Sequence, residues 1–71
     1  MKIKLLNDGG YESLKDVKFP VLVEGFRYEG LKHAVGVKGG ELLRIGGNGE
    51  LVYEPCDLSF LIGEECEIVD E

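Results

Sequence analysis

One histidine, two cysteines ten positions apart and no apolar run close to the roughly 20 residues of a membrane helix leave this 71-residue chain few chemistries. The histidine, His33, falls in the polar stretch Glu29-Gly30-Leu31-Lys32-His33, with no neighbouring nucleophile and no acid placed to orient it. It reads as a solvent-exposed turn residue, not as part of a Ser-His-Asp or Cys-His group. Cys56 and Cys66 lack the close ligand pairs of a zinc site, and adding His33 still leaves the set one ligand short. Both are expected to remain thiols on half-buried side chains, with a disulfide as the alternative. The glycines never form Gly-x-Gly-x-x-Gly between a strand and a helix, and no Lys-Ser or Lys-Thr completes a Walker loop. The spaced ligands of a calcium loop are missing as well. No catalytic residue, metal or cofactor is expected, and the chain does not read as an enzyme.

Met1-Lys2-Ile3-Lys4-Leu5-Leu6-Asn7-Asp8 returns to charge too soon for a secretory signal, so a cytoplasmic protein without a membrane segment is expected. What is present suits a folded core: 44% of residues are apolar and 31% charged, enough for one domain over residues 1–71. A domain of this size buries only roughly 60% of the surface its unfolded chain exposes, which leaves little stability for a deep cleft. The net charge of −6 is unevenly spread. Residues 1–38 balance to +2, whereas residues 39–71 hold nine acids against Arg44 alone and balance to −8. An acidic total repels phosphate backbones. Nucleic-acid binding therefore requires Lys2, Lys4, Lys15, Lys18, Arg27 and Lys32 to gather on one face, with tyrosines between them.

Along the chain, Lys2-Ile3-Lys4-Leu5-Leu6 alternates charged and apolar residues, the period of a strand with Ile3 and Leu5 inward. Asn7-Asp8-Gly9-Gly10 ends it, because these residues tolerate the positive φ of tight turns. Tyr11–Val17 is too short for a stable helix and reads as a loop with one helical turn, tucking Leu14 and Val17 under the domain. The longest strand-forming run is Lys18–Tyr28. Phe19, Val21 and Val23 share a face, Pro20 places the strand's start at an edge, and a bulge at Gly25 is expected to bring Phe26 and Tyr28 onto that same face. Ala34–Lys38 reads as a short strand, Gly39-Gly40 as a hairpin turn, and Glu41–Ile45 as the returning strand with Leu43 and Ile45 inward. Gly46-Gly47-Asn48-Gly49 reads as a flexible loop and Leu51–Glu54 as a further strand stopped by Pro55. Leu58, Phe60 and Ile62 fit a strand, although a short apolar run is not assigned by period alone. Glu64–Glu71 closes the chain as an edge strand whose carboxylates discourage pairing.

Two surfaces stand out as candidates. Tyr11, Tyr28 and Tyr53 lie near loops or strand ends, where flat rings can line a shallow groove for a peptide or a base, with Arg27 beside them. The plainer alternative places Phe26 and one tyrosine in the core. Glu64, Glu65, Glu67, Asp70 and Glu71 form an acidic edge, most simply a solvated one, whose alternative is to imitate nucleic-acid phosphates before a basic partner.

Five or six short antiparallel strands between glycine-rich turns predict an all-β domain that curls into a small, partly open barrel. Asn7-Asp8-Gly9-Gly10-Tyr11, Val17-Lys18-Phe19-Pro20-Val21, Gly40-Glu41-Leu42-Leu43-Arg44-Ile45-Gly46 and Glu65-Cys66-Glu67-Ile68-Val69 resemble segments of short uncharacterised proteins of bacteriophages and prophages. Their order also resembles that of SH3-like barrels. The resemblance implies a protein that binds and modifies a host protein or nucleoprotein complex, and it carries over no active-site residue. A protein partner is expected, with nucleic acid as the alternative; a homodimer through edge strands stays open.

Overall fold

Six strands form where alternation or β-branched runs ask for them: β1 (Lys2–Leu5), β2 (Val21–Glu24), β3 (Phe26–Arg27), β4 (Ala34–Lys38), β5 (Asp57–Leu61) and β6 (Cys66–Asp70). One helix, α1 (Gly39–Arg44), follows β4 directly. The computed structural model describes residues 1–71 and arranges the strands as two three-stranded antiparallel sheets, ordered β2-β1-β6 and β3-β4-β5. The domain is mostly β, and its two sheets are not closed into a barrel.

The core lies between the sheets. Ile3, Leu5, Val23 and Cys66 enter it from the first sheet, and Val35, Val37 and Phe60 from the second. Leu14 and Val17 close one end from the segment around the 3-10 turn Glu12–Leu14, as their spacing predicts, and Leu42 and Val52 complete the cluster. Both cysteines are free. Burial pushes the Cys66 thiol up, with Glu65 adding to it, while its Sγ points at the Phe60 and Leu61 carbonyls.

Gly25 is not a bulge. The β1–β2 register runs unbroken from Leu5 opposite Val21 to Lys2 opposite Glu24, and the Gly25 N–H still donates to the Met1 carbonyl at 2.8 Å. The next residue, Phe26, pairs with Gly36 in the other sheet. The chain therefore changes sheets at Gly25, where a Cβ would overlap the Ile3 side chain and crowd the Gly36 carbonyl. Phe26 and Tyr28 consequently do not join the face of Val21 and Val23.

The middle of the chain departs furthest from its reading. Gly39-Gly40 opens α1 instead of a hairpin, and Glu41–Arg44 is helical instead of extended. Leu42 becomes the inward residue at 0% exposure, while Leu43 is exposed and Ile45 half-buried. Three contacts account for this. Gly39 packs where a Cβ would overlap the Tyr53 carbonyl, and its N–H donates to the Cys56 carbonyl. The helix stops in a Schellman motif: Gly46, at φ 109°, donates to the Leu43 carbonyl and Gly47 to that of Leu42. Asn48 then organises the loop, its Oδ1 accepting from Glu50 N–H and its carbonyl from Leu51 and Val52. Those turns replace the expected Leu51–Glu54 strand and put only Val52 inside.

α1 is fastened to the free edge of β2. Glu41 Oε1 accepts from the Glu24 N–H at 2.8 Å and from Arg44 Nη2 at 2.9 Å, and Arg44 Nη2 also donates to the Leu22 carbonyl at 3.2 Å. The Arg44 hydrogen bonds, then the Glu24 N–H, hold the Glu41 carboxyl at about 2. A carboxyl depressed on folding stabilises above its unfolded value of about 4.3 and loses that contribution as pH falls toward 2. Arg44 is largely solvated, so screening reduces the contribution to about 1 kcal/mol or less. Urea unfolding is expected to find Glu41→Gln weaker by that amount at neutral pH, with the difference shrinking as pH falls below the unfolded value and vanishing only below about pH 2.

Candidate functional site

The outer face of β3-β4-β5 is built by strand alternation. Phe26 stands opposite Gly36, and Gly36 opposite Ser59, so these three share a face. Two residues along each strand, Tyr28, Ala34 and Leu61 extend it at one end, and Lys38 and Asp57 at the other. With no side chain on Gly36, the far end of the Phe26 ring lies over the strand there, where any Cβ would overlap it. Tyr28 meets that ring edge to face, centroids 5.1 Å apart at 69°, a favoured aromatic geometry. Lys38 Nζ is 5.1 Å from the Phe26 centroid, within cation–π range.

This makes an aromatic ridge bordered by one cation and one anion. Phe26 and Tyr28 are half-buried, whereas Lys38, Asp57, Ser59 and Leu61 are exposed. Burial raises the Tyr28 phenol, and the nearby Asp57 carboxylate and Tyr11 phenol raise it further. Tyr11 reaches the same sheet from the loop before the 3-10 turn: its hydroxyl donates to the Ser59 carbonyl at 2.9 Å and its ring meets Phe60 edge to face at 5.5 Å.

Tyr11 and Tyr28 are thus brought to one sheet. Tyr53 is carried elsewhere, on the loop that packs against Gly39, where a hydrogen bond with Cys56 raises its phenol. Arg27 belongs to the opposite face from Phe26, and its Nε donates to Glu71 Oε1 at 3.1 Å, linking β3 to the residue after β6. That hydrogen bond holds the Glu71 carboxyl below its usual range.

Three other acids of the C-terminal edge are engaged or faced by cations. Glu65 Oε1 accepts from the Leu61 N–H at 2.8 Å, while Glu67 stands across from Lys4 and Asp70 across from Lys2. Glu64 is exposed, with its carbonyl accepting from Asn7 Nδ2. The early cations are dispersed in the same way: Lys15 pairs with Glu12 and Arg27 with Glu71, while Lys2 and Lys4 sit among acids on the first sheet. His33 is exposed at the entrance to β4.

Lys38, Asp57 and Leu61 are the residues of this candidate face that sequence reading missed, and Phe26, there assigned to the core as the plainer alternative, is its half-buried centre. The available signal was Gly36, since a glycine inside an otherwise β-branched strand invites a ring from its neighbour. No protein family, curated protein or solved structure matches the chain.

Proposed function

We propose that the chain is a non-enzymatic, cytoplasmic binding module of the small SH3-like type whose partner is a protein, docked on the outer face of β3-β4-β5. The observation that carries this reading is the Phe26–Tyr28 ridge over Gly36, with Lys38, Asp57 and Leu61 exposed around it. Rigid aromatic rings that cost little entropy to order, with charges beside them to set orientation, are what anchors of protein interfaces are made of. The open edges of β2 and β5 are already engaged by side chains, which favours binding by a face over strand addition. By resemblance, a phage-encoded modulator of a host protein is the matching role. The dispersal of the cations speaks against nucleic acid, and the engagement of Glu65 and Glu71 against phosphate mimicry.

Capture from bacterial lysate followed by mass spectrometry supplies the test. Phe26→Ala/Tyr28→Ala is expected to reduce partner retention roughly tenfold or more, as loss of an aromatic anchor does, while Glu64→Gln/Glu67→Gln leaves it intact. Equal retention by the aromatic variant, with its circular dichroism unchanged, sinks the reading. So does filter binding that finds salt-dependent affinity for nucleic acid.

A further inference from the structure

The sheets end in four strand edges, and these are protected unequally. β3 is only two residues long. β5 has its Ser59 carbonyl closed by the Tyr11 phenol and its Leu61 N–H by the Glu65 carboxylate. β6 pairs with β1 through a register shift between Ile68 and Asp70, leaves Val69 outside the pairing and carries Glu67 and Asp70. Bulges and charges of that kind are ordinary defences against edge pairing. β2 is different: it is regular along all four residues, and two of them, Val21 and Val23, are strong strand formers.

Its outward groups are occupied by α1. The register and the bond from Gly25 N–H to Met1 turn the backbone of Val23 toward β1 and those of Leu22 and Glu24 away from it. Those two residues are the ones the helix reaches, the Glu41 carboxylate at the Glu24 N–H and the Arg44 guanidinium at the Leu22 carbonyl. A carboxylate stands where the next strand's carbonyl would accept, and a guanidinium where its amide would donate. We propose that α1 is an edge guard, and that what Glu41 and Arg44 exclude from β2 is a second copy of this chain.

Self-pairing at this edge is geometrically complete. A two-fold axis beside Val23 places Leu22 across from the copy's Glu24, and Glu24 across from the copy's Leu22, so each outward donor meets an acceptor symmetrically. Such a pair would also cover Leu22, whose side chain is now 48% exposed. An open depression of about 350 Å³, lined by Lys2, Leu22, Val23, Glu24, Glu41 and Arg44, adjoins this edge.

The proposal is tested by sedimentation equilibrium over a wide range of protein concentration. The Glu41→Ala/Arg44→Ala variant is expected to self-associate at least tenfold more tightly than wild type, about 1.4 kcal/mol. Adding Leu22→Pro, which removes an outward N–H and no bond to β1, is expected to restore the monomer. A double variant that keeps the wild-type circular dichroism yet stays monomeric overturns the proposal. Association that persists with Leu22→Pro, or wild type associating as tightly as the variant, does the same. Should the double variant fail to fold, Arg44→Gln decides: its side chain is 57% exposed, and of the β2 edge groups its loss frees only the Leu22 carbonyl, while also removing its two hydrogen bonds to the Glu41 carboxylate. Tighter association of that variant supports the guard, and a folded monomer rejects it.

Discussion

Phe60→Ala is expected to remove about 3–5 kcal/mol of stability, a large share of what a domain of this length holds. Phe60 is the largest fully buried side chain, at 0% exposure. It stands opposite Val35, meets the Tyr11 ring at 5.5 Å and lies against Gly9, where a Cβ would sit 3.1 Å from its ring. Removing such a ring costs about 3–5 kcal/mol, because the surroundings collapse only partly into the cavity. A domain of this length holds about 4–11 kcal/mol in total. Most of the lower end of that range would be consumed. Urea titration followed by circular dichroism is the measurement, with Phe60→Leu, a smaller cavity, expected to fall between the two. A midpoint for Phe60→Ala close to that of wild type would mean that the core is not organised around this ring.

Gly39→Ala comes next in size, for a different reason. The added methyl would overlap the Tyr53 carbonyl, a backbone group that cannot rotate away. Gly39 also donates to the Cys56 carbonyl at 2.6 Å, so moving the two segments apart breaks that bond as well. Overpacking of this kind costs about 1–3 kcal/mol, and a buried hydrogen bond lost with it about 1 more. For a domain this small, a loss of about 3 kcal/mol lowers Tm by roughly 12–24 °C. Gly40→Ala, whose nearest neighbour would be the Glu54 side chain at 3.5 Å, is the internal control and is expected to be nearly neutral. Equal melting temperatures for the two variants would remove Gly39 as the reason α1 begins where it does.

The contrast between these glycines also shows what the sequence could and could not disclose. β1 and β4 were legible because alternation and β-branched runs act locally, and the inward positions of Ile3, Leu5, Leu14 and Val17 follow from their spacing. α1 was not, since Leu42, Leu43 and Ile45 are too few to separate a helical period from an extended one. Its end signals were present, with Glu41 in the first turn, Arg44 in the last and Gly46 beyond it, but six residues do not hold a helix by themselves. The deciding contacts come from Tyr53, Cys56, Leu22 and Glu24, all distant in sequence. The site divided along the same line. Tyr28 could be chosen as an aromatic at a strand end, whereas Phe26 faces outward only because the chain changes sheets one residue earlier.

The position of β1 between β2 and β6 governs how the molecule is acquired as well as how it stands. Ile3 opposite Val23 and Ile68 joins residues near both extremes of the sequence in one row of the ladder. Loops of that length must close before any of these bonds can form, so the sheet has no local nucleus and its assembly belongs with the slower, non-local topologies. Neither half of the sequence contains a complete sheet. A cut between β5 and β6 therefore leaves the first sheet's three strands divided between two fragments, and both are needed to rebuild it.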